Sequence, residues 1–177
     1  MTEEKTVSSE YVYRGRAVSL RVDTVELSGG RRTTREVVEH SDSVGIVAID
    51  AEDNVLLVRQ FRKSVEKSLL EIPAGGIHPG EDPADCARRE LQEETGYLPQ
   101  RLERVGGFYS GPGYCSEYLH LFLATDLKPS RLHANDTESI KLVRVPIPQV
   151  PDLVAKGEIN DAKSIAGLLM AIPGYQA

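Results

Sequence analysis

Cysteine is scarce in this sequence, and the chain also lacks long apolar runs and a net positive charge. Cys86 and Cys115 are the two cysteines among 177 residues, and they lack the C-x-x-C spacing that suits a zinc site. We therefore expect neither a disulfide framework nor a zinc centre. No apolar run approaches the roughly 18 residues that a membrane span requires. The net charge of −6 disfavours a duplex nucleic-acid partner, which needs a basic surface.

The first residues, Met-Thr-Glu-Glu-Lys, also lack the character of a secretion signal. We therefore expect a cytoplasmic protein that does not act at a membrane. The length of 177 residues suits one domain of ordinary size with a small appendage. We place the appendage at residues 1–42, where strand-forming stretches are too few to bury a core, and the main domain at residues 43–177.

Residues 75–97 contain the most informative pattern in the chain. They read GGIHPGEDPADCARRELQEETGY and follow the spacing G-x5-E-x7-R-E-apolar-x-E-E-x-G-apolar. Its fixed positions are Gly75, Glu81, Arg89, Glu90, Glu93, Glu94 and Gly96. A chance match to such a pattern is about a one-in-a-million event at average residue usage. A merely solvated acidic helix therefore does not account for it.

The pattern predicts a helix between Asp82 and Gly96. Asp82 can cap the free N–H groups of the first turn, Pro83 suits the first helical position, and Gly96 suits the left-handed stop. Within this helix, Ala84, Ala87 and Leu91 form a narrow stripe that can pack on a sheet. The next sector carries acidic side chains.

Glu90, Glu93 and Glu94 lie on adjacent turns, and their repulsion weakens a bare helix by about a few tenths of a kcal/mol per pair. Mg²⁺ takes oxygen ligands from carboxylates, waters and substrate phosphates. The triad, entered through a glycine-rich loop, therefore suits a metal-bridged phosphate anhydride. The alternative is that these acids only pair with nearby basic side chains. We interpret Arg89 as a structural partner that orients Glu81 or Glu93.

This pattern is the Nudix box, and the chain resembles a Nudix hydrolase. The resemblance implies an α+β fold over about residues 43–172, an α/β/α sandwich with a mixed sheet, preceded by a small N-terminal antiparallel β-sheet. Strands on both sides of a helix agree with that architecture. From pattern alone, the alternative is a doubly wound α/β domain, which the lack of regular strand-helix alternation disfavours.

Alternating and apolar runs predict the individual elements. The predicted strands are Tyr11–Tyr13, Ala17–Leu27, Thr33–His40, Val44–Ile49, Val55–Phe61, Leu69–Ile72, Arg101–Tyr109, Tyr118–Ala124 and Ile140–Val145. The predicted helices after the box are Val150–Ala155 and Ala162–Ile172.

Residues outside the box resemble the ADP-ribose pyrophosphatase branch of the family. Pro112 stands 16 residues after Gly96, where that branch carries a proline, although Gly111 here replaces the common serine before it. Three further segments are similar to that branch: Arg59–Arg62, Leu70–Gly75 and Gly157–Lys163. The resemblance therefore implies Mg²⁺-dependent hydrolysis of ADP-ribose, a nucleotide sugar, to AMP and ribose 5-phosphate.

The resemblance also implies roles for single residues. The ligands of Mg²⁺, or of Mn²⁺ in its place, would be the backbone carbonyl of Ala74 and the carboxylates of Glu90, Glu93 and Glu94. Arg62 would contact the substrate's phosphate or terminal ribose, because a guanidinium can donate two parallel hydrogen bonds to phosphate oxygens. A surface charge is the alternative for Arg62, and Arg59 is the second candidate for this contact.

For the catalytic base, the resemblance points to Glu138 in the acidic loop before the last strand. Asp136 and the box residues Glu93 and Glu94 are the other candidates, and Glu117 is a further candidate metal ligand. A solvated loop acid is the alternative interpretation of Glu138.

Family precedent also implies a two-fold homodimer in which the N-terminal strands reach the partner's active site. Tyr11 and Tyr13, flanked by Arg14 and Arg16, could then stack on the adenine base. Packing in a core is the alternative for both tyrosines.

Three other functions remain open at this point. The chain could hydrolyse another nucleoside diphosphate sugar such as a GDP-sugar, destroy damaged nucleotides, or sense nucleotides without catalysis. The complete acidic triad disfavours a module without catalysis, and the context of Pro112 disfavours a triphosphate enzyme.

Overall fold

The computed structural model describes residues 4–133 and 139–172, which form two compact units. The first unit runs to Asp42 and includes the segment Tyr109–Tyr118. The second comprises Ser43–Phe108 and the chain from Leu119 onwards. None of the helices in the described ranges is long and apolar enough to cross a bilayer.

The first unit is built on an antiparallel sheet of three strands in the order β1-β2-β3. The strands are β1 (Lys5–Arg14), β2 (Ser19–Glu26) and β3 (Arg32–Glu39). Gly29 and Gly30 join β2 to β3 with φ angles of 96° and 79°, which glycine adopts without steric cost. Every residue of β1 is exposed. This is the small antiparallel sheet predicted at the N-terminus.

The second unit is built on a mixed sheet with the strand order β10-β5-β4-β9-β8, to which β6 adds on β5 and β7 on β4. β4 is parallel to β9, and β5 is antiparallel to β4, β6 and β10. The strands are β4 (Ser43–Ile49), β5 (Asn54–Arg62), β6 (Lys67–Glu71), β7 (Ala74–Gly76), β8 (Tyr97–Tyr109), β9 (Tyr118–Pro129) and β10 (Lys141–Pro146).

Helices cover both faces of this sheet. α1 (Pro83–Thr95) and α3 (Ala162–Ala171) both pack on β4, and α2 (Val150–Ala155) follows a short 3-10 turn after β10. Ile46 packs in one buried cluster with Leu91 of α1, whereas the neighbouring Val47 packs in the other with Leu168 of α3. Because successive strand residues point to opposite faces, α1 and α3 lie on opposite sides of the sheet. The predicted sandwich is confirmed.

The doubly wound alternative is wrong, because β4 pairs antiparallel with both β5 and β7. Several strands are also longer than predicted: β1 adds Lys5–Glu10, β8 adds Tyr97–Gln100 and β9 adds Thr125–Pro129. These additions are polar or contain proline, so they show little alternation, and pairing with neighbouring strands decides them. β7 was not predicted, since a three-residue strand with two glycines carries no pattern.

Two adjacent leucines of α3 test the packing of this helix on the sheet. Leu168 is fully buried in the core cluster, whereas Leu169 is 46% exposed. We expect Leu168→Ala to lower the free energy of unfolding by about 2–5 kcal/mol, because it leaves a cavity. Leu169→Ala should change it by only about 0.5 kcal/mol. Urea denaturation measures both, and equal losses would contradict the packing described here.

Candidate active site

The acidic helix α1 begins and ends as its sequence indicates. Asp82 accepts a hydrogen bond from the backbone N–H of Ala84 at 2.8 Å, and Pro83 is the first helical residue. Gly96 follows the last turn with φ 79° and donates its N–H to the carbonyl of Gln92 at 3.0 Å. The caps therefore hold the three acidic residues of the last two turns at defined positions relative to the sheet.

Glu94 contacts the backbone at Ala74, the first residue of β7. Its carboxylate accepts a hydrogen bond from the N–H of Ala74 at 3.1 Å, and the residue is 6% exposed. Burial raises the pKa of Glu94 to about 8; the charge of Glu90 also raises it, and the hydrogen bond from Ala74 opposes the shift. A carboxylate in this environment is stabilised by a nearby positive charge.

Glu90 occupies the space next to the backbone of Gly75. A Cβ atom at position 75 would overlap the Glu90 carboxylate, so a larger residue there would require Glu90 to move. Burial also raises the pKa of Glu90 above its usual range, although Arg89 opposes this shift. The glycine of the motif therefore lets the main chain approach an acidic side chain closely.

Arg89 is the central cation of the helix. Its guanidinium donates two hydrogen bonds to Glu81, at 2.8 and 3.0 Å. It also donates to Glu90 at 2.6 Å and to Glu93 at 3.3 Å. The hydrogen bond from Arg89 is the main cause that lowers the pKa of Glu81 to about 2. Arg89 thus contacts both side chains that the sequence interpretation assigned to it.

The acidic side chains of α1 offer oxygen atoms to a divalent cation. In residues 4–133 and 139–172, no three His, Cys, Asp or Glu side chains stand together as a ready metal site. Two of the acidic side chains, Glu90 and Glu93, bind Arg89 instead. The chemistry of the donors nevertheless fits, since the side chains of Glu90 and Glu94 lie at the backbone of Ala74–Gly75 and offer the oxygen ligands that Mg²⁺ prefers.

Arg62 is the basic side chain next to this acidic cluster. It lies at the end of β5 and donates two hydrogen bonds to Glu71, at 2.9 and 2.7 Å. These bonds are the main cause that raises the pKa of Arg62, and the charges of Glu94 and Asp161 add to it. The guanidinium of Arg62 is therefore fixed by Glu71, and its charge interacts with that of Glu94. These contacts distinguish Arg62 from a simple surface charge, which was the alternative interpretation.

Arg59 lies on the other side of the strand. The register of β5 against β6 is continuous from Arg59, opposite Leu70, to Arg62, opposite Lys67. Residues three apart in a strand point to opposite faces, so Arg59 and Arg62 do not share one. Arg59 is exposed. The structure thus separates the two candidates that the sequence grouped together.

The remaining candidates belong to the first unit. Tyr13 is 59% exposed and its ring lies over Gly15, while the hydroxyl of Tyr11 donates to Glu39 at 3.1 Å. Arg14 stacks on the Tyr11 ring, 3.5 Å from its centroid. Tyr11 is 38% exposed, so the alternative of core packing is wrong for both tyrosines in the described unit.

Pro112 and Glu117 also lie in the first unit. Pro112 is exposed and lines a recess of about 400 Å³ together with Arg35 and Tyr114. Glu117 lies 3.6 Å from the Nδ1 atom of His40. Asp136 and Glu138 lie outside the described residues.

The sequence interpretation missed the charged side chains that surround Arg62. Glu71 is buried, with 1% of its side chain exposed, and binds both Arg62 and Lys163. Lys163 also binds Asp161, the N-cap of α3, at 2.8 Å. The sequence did contain a signal for this pairing, because Glu71 is the single acid in the apolar run from Leu69 to Ile72. An acid buried in such a run needs a basic partner.

Comparison with known proteins agrees with this fold and this box. Residues 39–168 match the family model of the NUDIX domain. Residues 4–38 match the model described as the nucleoside diphosphate sugar hydrolase N-terminal domain. The chain belongs to the NUDIX family and is a hydrolase of that family. The resemblance drawn from the sequence is confirmed, and the alternative of a module without catalysis is set aside.

Individual relatives match over most of their length. An "ADP-ribose pyrophosphatase" of Bacillus subtilis (strain 168) is 37% identical over 164 residues, 92% of this chain and 89% of the relative. A "Methanol dehydrogenase activator" of Bacillus methanolicus is 38% identical over 165 residues, with the same two coverages of 92% and 89%. The crystal structure of an ADP compounds hydrolase superposes with a TM-score of 0.87 at 28% identity, covering 95% of this chain and 91% of that one.

Proposed function

We propose that this protein hydrolyses the pyrophosphate bond of ADP-ribose, with Mg²⁺, to AMP and ribose 5-phosphate. The observation that carries the proposal is the acidic cluster at Ala74–Gly75 with Arg62 within its electrostatic reach. A substrate with two phosphates and a bound cation needs both kinds of group. The name and the 37% identity of the Bacillus subtilis relative favour ADP-ribose as the substrate.

In this proposal the metal ligands are the carbonyl of Ala74 and the carboxylates of Glu90, Glu93 and Glu94. A bound Mg²⁺ or Mn²⁺ supplies Lewis acidity, which neutralises phosphate charge and lowers the pKa of water. Arg89 keeps Glu90 and Glu93 in place through its hydrogen bonds. Arg62 donates hydrogen bonds to a phosphate oxygen or to the terminal ribose of the substrate.

Glu138 is the proposed base that takes a proton from the attacking water, an assignment that rests on the resemblance of its loop to that of the ADP-ribose pyrophosphatase branch. Asp136 is the nearest competitor along the chain, and Glu93 or Glu94 would take this role only if they were free of the metal. A carboxylate suits the task because a general base must be ionised at the working pH.

We further propose that residues 1–42 form a dimerisation region whose strands complete the substrate pocket of a partner subunit, and that residues 43–177 form the catalytic domain. Strand β1 supports this proposal, because all of its residues are exposed and Val12 and Tyr13 are 61% and 59% exposed. Exposed aromatic side chains such as Tyr13 suit stacking on a base, and Pro112 is the proposed second contact.

Another nucleoside diphosphate sugar, such as a GDP-sugar, is the second candidate substrate. The match of residues 4–38 favours it, since that model describes sugar nucleotides without naming a base. A product assay with ADP-ribose, GDP-mannose, NADH and dGTP, each with and without Mg²⁺, separates the two. Fastest release of AMP from ADP-ribose supports our proposal, and faster hydrolysis of GDP-mannose would replace it.

Neutral variants of the acidic helix test the metal site. Glu90→Gln and Glu94→Gln should each lower turnover by orders of magnitude, because an amide keeps the shape of the side chain but not the charge that holds a cation. The exposed Glu52→Gln serves as the control and should keep full activity. Circular dichroism checks that every variant is folded. Activity near that of the wild type in both helix variants at saturating Mg²⁺ would overturn the ligand assignment.

The assignment of the base makes a separate prediction. Glu138→Gln should lower kcat by about 10² or more and leave substrate affinity nearly unchanged, as loss of a general base does. Asp136→Asn, two residues away, should have a far smaller effect. Steady-state kinetics of the two variants decides the matter, and the reverse ranking would transfer the role to Asp136.

The proposed dimer is tested by removing residues 1–42. An interface of this kind should bury more than about 2,000 Å² in total, as obligate dimers do, so the truncated protein should become monomeric. It should also lose ADP-ribose hydrolysis although every residue of the box remains. Light scattering and the product assay are run on the same samples. A truncated protein that is monomeric and fully active would rule the arrangement out.

A further inference from the structure

Glu71 is a buried acid that the proposed reaction does not use. It is the last residue of β6, and 1% of its side chain is exposed. Each of its carboxylate oxygens accepts a hydrogen bond from Arg62, at 2.9 and 2.7 Å. One of them also accepts a bond from the ammonium group of Lys163. Burial would raise the pKa of Glu71, but the bonds from Arg62 and Lys163 outweigh it and lower the pKa, so the group is ionised.

The first turn of α3 holds this carboxylate in place. Asp161 caps α3 by accepting a bond from the N–H of Ser164 at 3.1 Å, and it binds Lys163 at 2.8 Å. The hydroxyl of Ser164 accepts a bond from the N–H of Ile72, next to Glu71, at 2.9 Å. The end of β6 is thus joined to α3 by the hydrogen bond from Ile72 to Ser164 and by the ion pair between Glu71 and Lys163. Both contacts restrict the movement of Glu71.

Arg62 is held differently from Glu71. Its side chain is 39% exposed, and its Nε and Nη2 atoms each donate a hydrogen bond to Glu71. Two parallel hydrogen bonds fix both the position and the plane of a guanidinium. An arginine side chain that is free loses much rotamer entropy when it binds an anion, whereas one that is already fixed loses little.

We infer that Glu71 is a positioning residue, which presets the guanidinium of Arg62 for the substrate while Lys163 and Asp161 hold Glu71 in turn. The inference rests on the proposed contact of Arg62 with the substrate. Glu71 itself does not touch the substrate. Lys163 also binds Glu71, so this buried carboxylate has a second cationic partner besides Arg62.

The test is a double-mutant cycle between Glu71 and Arg62. Glu71→Gln should weaken binding of ADP-ribose by about tenfold and raise KM to a similar extent, with kcat within about twofold of the wild type. Arg62→Ala should weaken binding by at least as much. In the Arg62→Ala background, Glu71→Gln should have no further effect. The dissociation constant is measured by calorimetry in EDTA, and KM and kcat are measured with Mg²⁺.

Two further variants separate positioning from a loss of stability. Lys163→Met should weaken binding, and Lys163→Arg, which keeps the charge, should recover most of the affinity. Glu66→Gln in the same hairpin is the matched control, since Glu66 is exposed and binds Lys63. All assays are run well below the unfolding temperature of each variant. Glu71→Gln keeps the shape of the side chain and leaves Lys163 bound to Asp161, so the cycle remains measurable even if Lys163→Met does not fold.

The outcomes distinguish the inference from the proposed function. If Arg62→Ala weakens binding but Glu71→Gln does not, or if the two effects add, the positioning role is wrong and the role of Arg62 stands. If Arg62→Ala leaves binding unchanged, the proposed contact of Arg62 fails, and the positioning role fails with it. If the protein hydrolyses a different nucleotide sugar, the cycle is measured with that substrate, and non-additive losses still support the inference.

Discussion

The absence of a side chain at Gly75 is the constraint on which the candidate site depends. The Glu90 carboxylate occupies the space that a Cβ atom would fill, and the N–H of the preceding residue, Ala74, donates to Glu94. The backbone of β7 can therefore lie against two acidic side chains of α1. A larger residue at position 75 would move Glu90 or the strand. The close approach brings the carboxylates of Glu90 and Glu94 to the backbone of Ala74–Gly75, and carboxylate oxygens are ligands that suit a hard cation.

Two arginines compensate the charges of the buried and part-buried acids. Arg89 binds Glu81, Glu90 and Glu93 within the helix and the loop before it. Arg62 binds Glu71 from the neighbouring strand and acts on Glu94 through its charge. A buried carboxylate without a partner is strongly destabilising, so the fold requires a basic side chain next to each buried acid. The proposed chemistry and the stability of this unit therefore involve the same side chains.

Local signals predicted the elements that carry the site, but not all of its contacts. The caps and the box spacing predicted α1 at its observed bounds, because hydrogen bonds within a few residues decide them. The pairing of Arg62 with Glu71 was not predicted, since two strands must first align before the charges meet. Strand β7 was missed for a similar reason: its two glycines carry no pattern, and pairing with β4 alone defines it. The register of β5 was likewise needed to show that Arg59 and Arg62 point to opposite faces of the sheet.

The box spacing, the caps and the strand patterns are local properties of the chain, so they were enough to predict the family, the acidic helix and the small N-terminal sheet. Which charges are buried, and which partners they have, depends on how distant segments of the chain pack together. The link from Asp161 and Lys163 to Glu71 joins residues about ninety positions apart, and no local pattern encodes such a contact. Burial changes the free energy of a charge, and burial is defined only when strands and helices pack together.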